Sequence, residues 1–523
     1  MRPHHRPFLL GTRREDGFTL IELLVVIVIL GVLSAIVVFS VRGIGDKGRK
    51  NSVAADAATL RTAEESYCAK HGHYGTVDDL QADGLLAGEP VYNMVAVGEE
   101  NKCGRGEKSS FTLYDTSPTE SGAEAVPVGA NPTDLAVDEK ANRVYVVSSG
   151  SNNVFVIDGR TDAPIGSPID VSGAVTSPTR IAVAPASGRV YVGGTGGVAI
   201  IDTVHGNQVT HVGGYTTTVS GLAVSPENGD VYVGGSTAIT SAVAYIAAGG
   251  SSATPIPLPA SGLVNDISGM DFQFDPEHHA VYFAKSGNAI GATPATNSGL
   301  FAISSQSHEA RVVVEFPTKS GCATDVNALL ANSVRGRTVV DPHRNLVYLL
   351  AKRCVQDPDK PGQWKSVATT IAINPSDGSS TAIDDPVGPI YAAMSAVYNP
   401  AAGAVYVYLG GGTQCGGSGG RIDRIVGTTV TGQAPVCGVS TALGNAAHKI
   451  AVLRNVNRVF VAQKNTGGAP GGLGMADGTT LLTQAPLGTP RQFGALAVND
   501  TTAKVYALDL ADGTLAVLRT GSA

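Results

Sequence analysis

Hydrophobic residues are arranged along this chain in three successive patterns. From Phe18 to Val41 they run almost without a break, FTLIELLVVIVILGVLSAIVVFSV, and Glu22 is the single charged residue in the run. As a helix the segment is about 36 Å long at ~1.5 Å per residue, enough to span a bilayer. From Asn51 the pattern becomes amphipathic, with Val53, Ala57, Leu60 and Tyr67 near one face at helical spacing. Beyond residue 125 the helical periodicity disappears. Short β-rich apolar runs separated by polar turns recur to the end of the chain.

The flanks of the apolar run carry processing information. A polar leader bearing Arg2, Arg6, Arg13 and Arg14 stops at Gly17, before the apolar helix begins. A secretory signal peptide has a shorter apolar region with its cleavage site after it. Cleavage at Gly17 would instead leave the apolar helix at the new N-terminus. The string Gly17-Phe18-Thr19-Leu20-Ile21-Glu22-Leu23-Leu24 resembles the prepilin signature of type IV pilins and type II secretion pseudopilins. The resemblance implies cleavage after Gly17 by a prepilin peptidase, and methylation of Phe18. It places the family's acidic residue on Glu22, which would meet the N-terminus of a neighbouring subunit during assembly. A carboxylate inside an apolar helix is costly without such a partner.

Residues 42–116 are expected to form a pilin-like head. The stretch His73-Tyr74-Gly75-Thr76-Val77-Asp78-Asp79-Leu80, followed by Gly84-Leu85-Leu86, resembles the segment after the long helix of secretion-type pseudopilins. It implies a small sheet, for which 91–97 and 110–114 are the candidates. Residues 117–124, rich in Ser, Pro, Gly and Glu, read as a linker.

In 125–523 one phrase occurs eight times: an apolar strand, a polar turn and a Val-Tyr-type strand. Its aromatic positions are Tyr145, Tyr191, Tyr232, Tyr282, Tyr348, Tyr406, Phe460 and Tyr506. A period of roughly 40–50 residues with several short strands per repeat predicts a β-propeller. Eight blades are expected, or seven if a long-loop repeat is counted otherwise. The first repeat, through Val154-Phe155-Val156-Ile157-Asp158-Gly159, resembles YVTN-family repeats. The last ends at its third strand, Leu515–Leu518, so Val126–Val128 is expected to supply the missing outer strand and close the ring. The fold class is therefore mainly β, a pilin-like helix and small sheet (leader 1–17, helix 18–41, head 42–116, linker 117–124) followed by a propeller over 125–523.

Composition limits the chemistry. With a formal net charge of −7, the chain is mildly acidic, which argues against nucleic acid or anionic membrane surfaces as main ligands. The cysteines fall in pairs: Cys68 and Cys103 in the head, Cys322 and Cys354 flanking the first two strands of the fifth repeat, Cys415 and Cys437 within the sixth. An even count grouped in twos, without CxxC, reads as disulfides in an oxidising compartment. No P-loop or dinucleotide fingerprint occurs, and no nucleophile motif. His71 with His73, and His278 with His279, are weak metal candidates. Asp509, Asp512 and Gly513 supply too few oxygen ligands for an EF-hand loop. No cofactor is expected.

The reading that follows is a non-enzymatic filament subunit held in the bacterial cytoplasmic membrane by a single pass before assembly, its head outside the cytoplasm. Its partners would be other pilin subunits, a prepilin peptidase and an extracellular protein or glycan bound by the propeller. Long loops at 287–299, 354–364 and 410–420 are the candidate surface. The alternative is a tethered extracellular propeller enzyme acting on polymers, for which matching acids or His on several blades would be the mark.

Overall fold

The computed structural model describes residues 58–75, 77–86, 93–97, 103, 111–115, 119–120, 125–213, 218–236, 241–259, 271–286, 297–319, 329–330, 334, 338–357, 360, 362–384, 393–410, 419–437, 450–463, 472–479, 483–487 and 493–519. The chain divides into two compact units, one comprising Met1–Ser117 with Ser522–Ala523, the other Pro118–Gly521.

In the first unit a helix runs through 58–71. Leu60, Ala63 and Tyr67, three and four residues apart, form its buried face and pack with Leu80 of the short helix Val77–Ala82. Val53 and Ala57 lie outside the described residues. Strands Asn93–Val97 and Phe111–Asp115 pair antiparallel, close to where the sequence places them. Cys68 and Cys103 form a disulfide with their Cα atoms 5.8 Å apart.

The second unit is an eight-bladed β-propeller. Blades 1 to 7 each contain four consecutive antiparallel strands, over residues 132–170, 176–212, 219–256, 273–316, 338–384, 393–437 and 450–487. Blade 5 is widened by the small strands Thr318–Lys319 and Leu329–Leu330. Blade 8 takes three strands from 493–519 and its outer strand from Val126–Pro127. Val126 pairs with Leu515 and Pro127 with Thr514, as ring closure requires. Inside the segment read as a linker, Thr119 and Glu120 also pair, with Arg519 and Leu518.

Burial explains why the Val-Tyr phrase has no polar face. Each repeated aromatic is at most 1% exposed, because a second strand is covered by a blade on either side. Alternation then sorts its side chains: in blade 1, Val144 and Val146 pack with Tyr506 and Leu508 of blade 8. Tyr145 and Val147 pack with Val190 and Val192 of blade 2. The core is thus a series of interleaved layers between neighbouring blades.

One backbone feature repeats in all eight blades. The residue three before each aromatic closes the first hairpin in the left-handed region: Asn142, Gly188, Gly229, His279, Asn345, Gly403, Asn457 and Ala503, with φ between 46° and 78°. Asp138, Asp275, Asp341, Asn399 and Asn499 open that turn, and each accepts a backbone N–H with its side-chain oxygen.

Candidate functional site: the long-connection face of the propeller

Strand direction sorts the propeller's connections onto two faces. The first-to-second turns lie on one face and are short, and so are the third-to-fourth turns on that face apart from 159–168 in blade 1. The second-to-third connections and those leading to the next blade lie on the other, where the long insertions fall, between 285 and 298, 356 and 364, and 410 and 419. Thr119 pairs with Arg519, at the end where the third strand of blade 8 finishes. The chain therefore enters the propeller on the tight-turn side, opposite the long connections.

The candidate loop at 354–364 is the second-to-third connection of blade 5, with its first three residues and Trp364 belonging to the flanking strands. Leu346–Gln356 and Trp364–Ile373 are the second and third strands of blade 5, and they stay paired as far as Gln356 with Trp364. A turn closes the arm, the N–H of Asp357 donating to Gln363 O at 2.8 Å. Arg353 forks onto Asp384 of the outer strand, with Nε 2.7 Å from Oδ1 and Nη2 on Oδ2. Lys365 Nζ is 3.5 Å from Asp357 Oδ1. The arm carries Trp364, the chain's single tryptophan, half-buried. Cys354 lies within the second strand rather than flanking it, and is disulfide-bonded. Cys437 ends the outer strand of blade 6, paired in register with Gly419. Cys322, Cys415 and most of the candidate loops 287–299 and 410–420 lie outside the described residues.

Two charged features stand at the base of the long connections. Lys285 ends the second strand of blade 4, buried, with Nζ 5.8 Å from the Phe301 ring centre. Burial pushes its ammonium below the usual lysine range, and Glu315 opposes that. In blade 6, Arg421 forks onto Asp423 two residues along the same strand, at 2.6 and 2.9 Å, both buried.

On the tight-turn face the histidines serve as bridges between blades. His279 Nδ1 meets Glu227 of blade 3, His308 Nε2 lies 2.9 Å from Asp230, and His343 Nδ1 lies 2.8 Å from Glu277. His278 caps Asp275 within its own turn at 2.9 Å. Ser305 Oγ donates to Glu227 at 2.6 Å and, with His279, holds that carboxyl below its ordinary value. In the first unit His71 Nε2 is 2.7 Å from Asp83, and His73 Nδ1 is 3.0 Å from Tyr74 O. Among the described residues no three His, Cys, Asp or Glu side chains are grouped to hold a metal ion. Asp509 Oδ1 accepts from Ala511 N in the turn that contains Asp512 and Gly513.

Sequence reading missed the polar seam where blade 8 meets blade 1. Lys504 donates to Asp162 and to the carbonyls of Gly159 and Arg160, Asn499 donates to Asn142, and Glu139 accepts from Asp500 N. A signal was present. The slot two before the aromatic is basic in four repeats, Arg143, Arg189, Arg458 and Lys504, and Arg189 likewise reaches Gly250 O of the next blade at 3.0 Å.

Gly17, Phe18 and Glu22 lie outside the described residues, and sequence similarity speaks to them. Residues 12–38 match the family model described as the prokaryotic N-terminal methylation motif. The chain carries that motif. It is also similar to the type II secretion system core protein G of Dickeya chrysanthemi, 38% identical over 79 residues, which is 15% of this chain and 50% of the relative. The corresponding protein of Klebsiella pneumoniae is 41% identical over 71 residues, 13% of this chain and 51% of that one. The chain thus spans about half the length of the curated relatives it matches. Among solved structures, the Dos1 propeller aligns with a TM-score of 0.48 and 9% identity, over 76% of this chain and 94% of that one. The combination is a pseudopilin-like N-terminal segment joined to an eight-bladed propeller. Among the described residues no helix is long and apolar enough to cross a membrane, and the apolar run 18–41 lies outside them.

Proposed function

We infer that the protein is a non-enzymatic, minor pilin- or pseudopilin-like filament subunit that displays its propeller outside the cell for adhesion or partner binding. The observation that carries this reading is the joining of a methylation motif and a core protein G-like segment to a separately closed propeller. Cleavage after Gly17 leaves Phe18 as the methylated end. The helix 18–41 holds the subunit in the cytoplasmic membrane until assembly, and Glu22 sets its register against a neighbouring subunit. Its partners are other pilin subunits, the prepilin peptidase and a protein or glycan outside the cell.

The long-connection face is the binding surface, with the blade 5 arm as its ordered projection. It lies on the side away from the point of chain entry, and loops on a rigid scaffold are where binding groups gather. A propeller of about 400 residues crowds neighbours at each successive filament position, so the subunit occupies a low-copy place, at the tip or as an occasional decoration. Immunogold labelling of intact cells tests this. Sparse or terminal label on filaments is expected. Label along the whole length of each filament overturns the low-copy reading, and label confined to the envelope favours a secretion pseudopilus.

A further inference from the structure

The chain's one tryptophan stands where the blade 5 arm turns back, at the start of the third strand. Trp364 is half-buried. Among the described residues its indole N–H has no hydrogen-bond partner and is open to solvent, and no ring is stacked on it. A tryptophan spent on the core would bury its ring and find that N–H a partner. Register fixes what surrounds the ring. Gln356 lies directly opposite, and strand alternation puts Ser366 and Lys352 on the same side of the arm. The exposed large hydrophobic side chains among the described residues are Ile165, Val204 and Val209, which belong to blades 1 and 2 and not to the arm. The arm is also held in shape. Asp357 N to Gln363 O, Lys360 N to Asp357 O and Gln363 N to Lys360 O close its tip at 2.8, 3.2 and 3.0 Å. The Arg353–Asp384 fork clamps its base to the outer strand.

We propose that Trp364 is the stacking platform of a saccharide subsite, which takes an uncharged sugar ring of an extracellular polysaccharide. This names the ligand class of the long-connection face and rests on that face being the binding surface. A pyranose ring has an apolar face of C–H groups and a rim of hydroxyls. The flat indole matches the face, while the Gln356 amide and the Ser366 hydroxyl, which both donate and accept, match the rim. A protein partner calls for an aromatic anchor inside an apolar, water-excluding surround, and the described neighbours of Trp364 are polar. A polyanion calls for a cluster of cations. Here Arg353 and Lys365 are already paired with Asp384 and Asp357, and the chain as a whole is acidic, with a net charge of −7. Because the arm is closed by its own hydrogen bonds, the platform is in place before the sugar arrives and binding costs little ordering.

A single tryptophan makes the site its own reporter. The test uses the full chain in a detergent without a sugar headgroup, applied to an array of uncharged polysaccharides and oligosaccharides that includes dextran, mannan, cellohexaose and chitin hexaose. A bound sugar should move the Trp364 emission to shorter wavelength and shield it from iodide, with the same midpoint as binding on the array. This arm of the test needs no variant, so it holds even where a substitution unsettles the arm. Trp364→Ala should weaken binding about tenfold or more, and Trp364→Phe should keep most of it. An unchanged urea midpoint shows that each variant is folded. Binding that leaves the emission unchanged, or that survives Trp364→Ala, overturns the site while the display role stands. Absence of binding across the array overturns the saccharide class, and is what a protein partner would give. Shortened sugar products from a polymer that still moves the emission would uphold the site and overturn the non-enzymatic reading instead.

Discussion

Lys504 Nζ lies 2.8 Å from Asp162 Oδ1, joining the last blade of the propeller to the first across 342 residues of sequence. Both side chains are buried, 8% and 2% exposed, and the ammonium also donates to the carbonyl of Gly159. The pair sits at the one seam that the chain must close between its two ends. Breaking a buried pair by removing one partner typically costs about 3–5 kcal/mol. Lys504→Met is therefore expected to lower propeller stability by about that amount, read as a shift of the urea midpoint. The double variant Lys504→Met/Asp162→Asn should recover part of the loss, since it leaves no buried charge behind and Asn tolerates the left-handed backbone at position 162, φ 59°.

Ala503 occupies the left-handed slot that Gly or Asn fills in six of the eight hairpins, at φ 50°. An L-residue there costs roughly 1–2 kcal/mol, offset in part by the greater freedom that Gly has in the unfolded chain. Ala503→Gly should therefore stabilise the propeller by about 0.5–1 kcal/mol. Gly403→Ala, in the equivalent slot at φ 55°, should destabilise it by a similar amount. Denaturant midpoints of the two variants should move in opposite directions.

Glu64 is wholly buried in the first unit, one oxygen accepting Gly75 N at 3.1 Å. Burial pushes its carboxyl up from 4.5 to about 7, with Asp79 and Glu65 adding to the rise and the Gly75 hydrogen bond opposing it. The folded unit thus holds a proton that the unfolded chain has already released, and folding takes one up between pH 4.5 and about 7. Stability of this unit should fall as pH rises through that window and level off above it. Glu64→Gln should flatten the dependence, which thermal melts followed by the 222 nm helical signal at stepped pH would show.

Glu22 is expected to matter for assembly and not for insertion. A carboxylate costs on the order of 2.5–3.5 kcal/mol at a helix centre and less near the end. Glu22→Ala should enter the membrane at least as well as the wild type, yet be depleted from sheared filaments. Equal recovery of the two proteins in the sheared fraction would remove the assembly role.

Much of the fold is legible in the residues because local rules and global packing agree. The eight aromatics mark eight second strands, since a strand covered on both sides must be apolar throughout. Leu60 and Tyr67 mark the buried face of the first helix by spacing alone. The segment near Val126 was identifiable as the closing strand, because the last repeat lacks a fourth. Candidate site residues were less accessible. Cys354 to Trp364 reads as a loop, yet Gln356 pairs with Trp364, because pairing continues wherever partners exist and polar composition alone does not end a strand. His278 and His279 resemble metal ligands in isolation. Their carboxylate partners include Glu227, about fifty residues earlier in another blade.

The sequence by itself determined the N-terminal motif, the apolar run that follows it and the repeat, since each depends on residue type and spacing within a few tens of positions, and it narrowed the blade count to eight or seven. Only the tertiary structure decided which polar residues meet across blades, which face carries the long connections and where the chain enters the ring. These are relations between residues hundreds of positions apart, such as Glu139 and Asp500 N, 361 apart. No local periodicity records them. They exist only once the ring has closed and brought its first and last blades side by side.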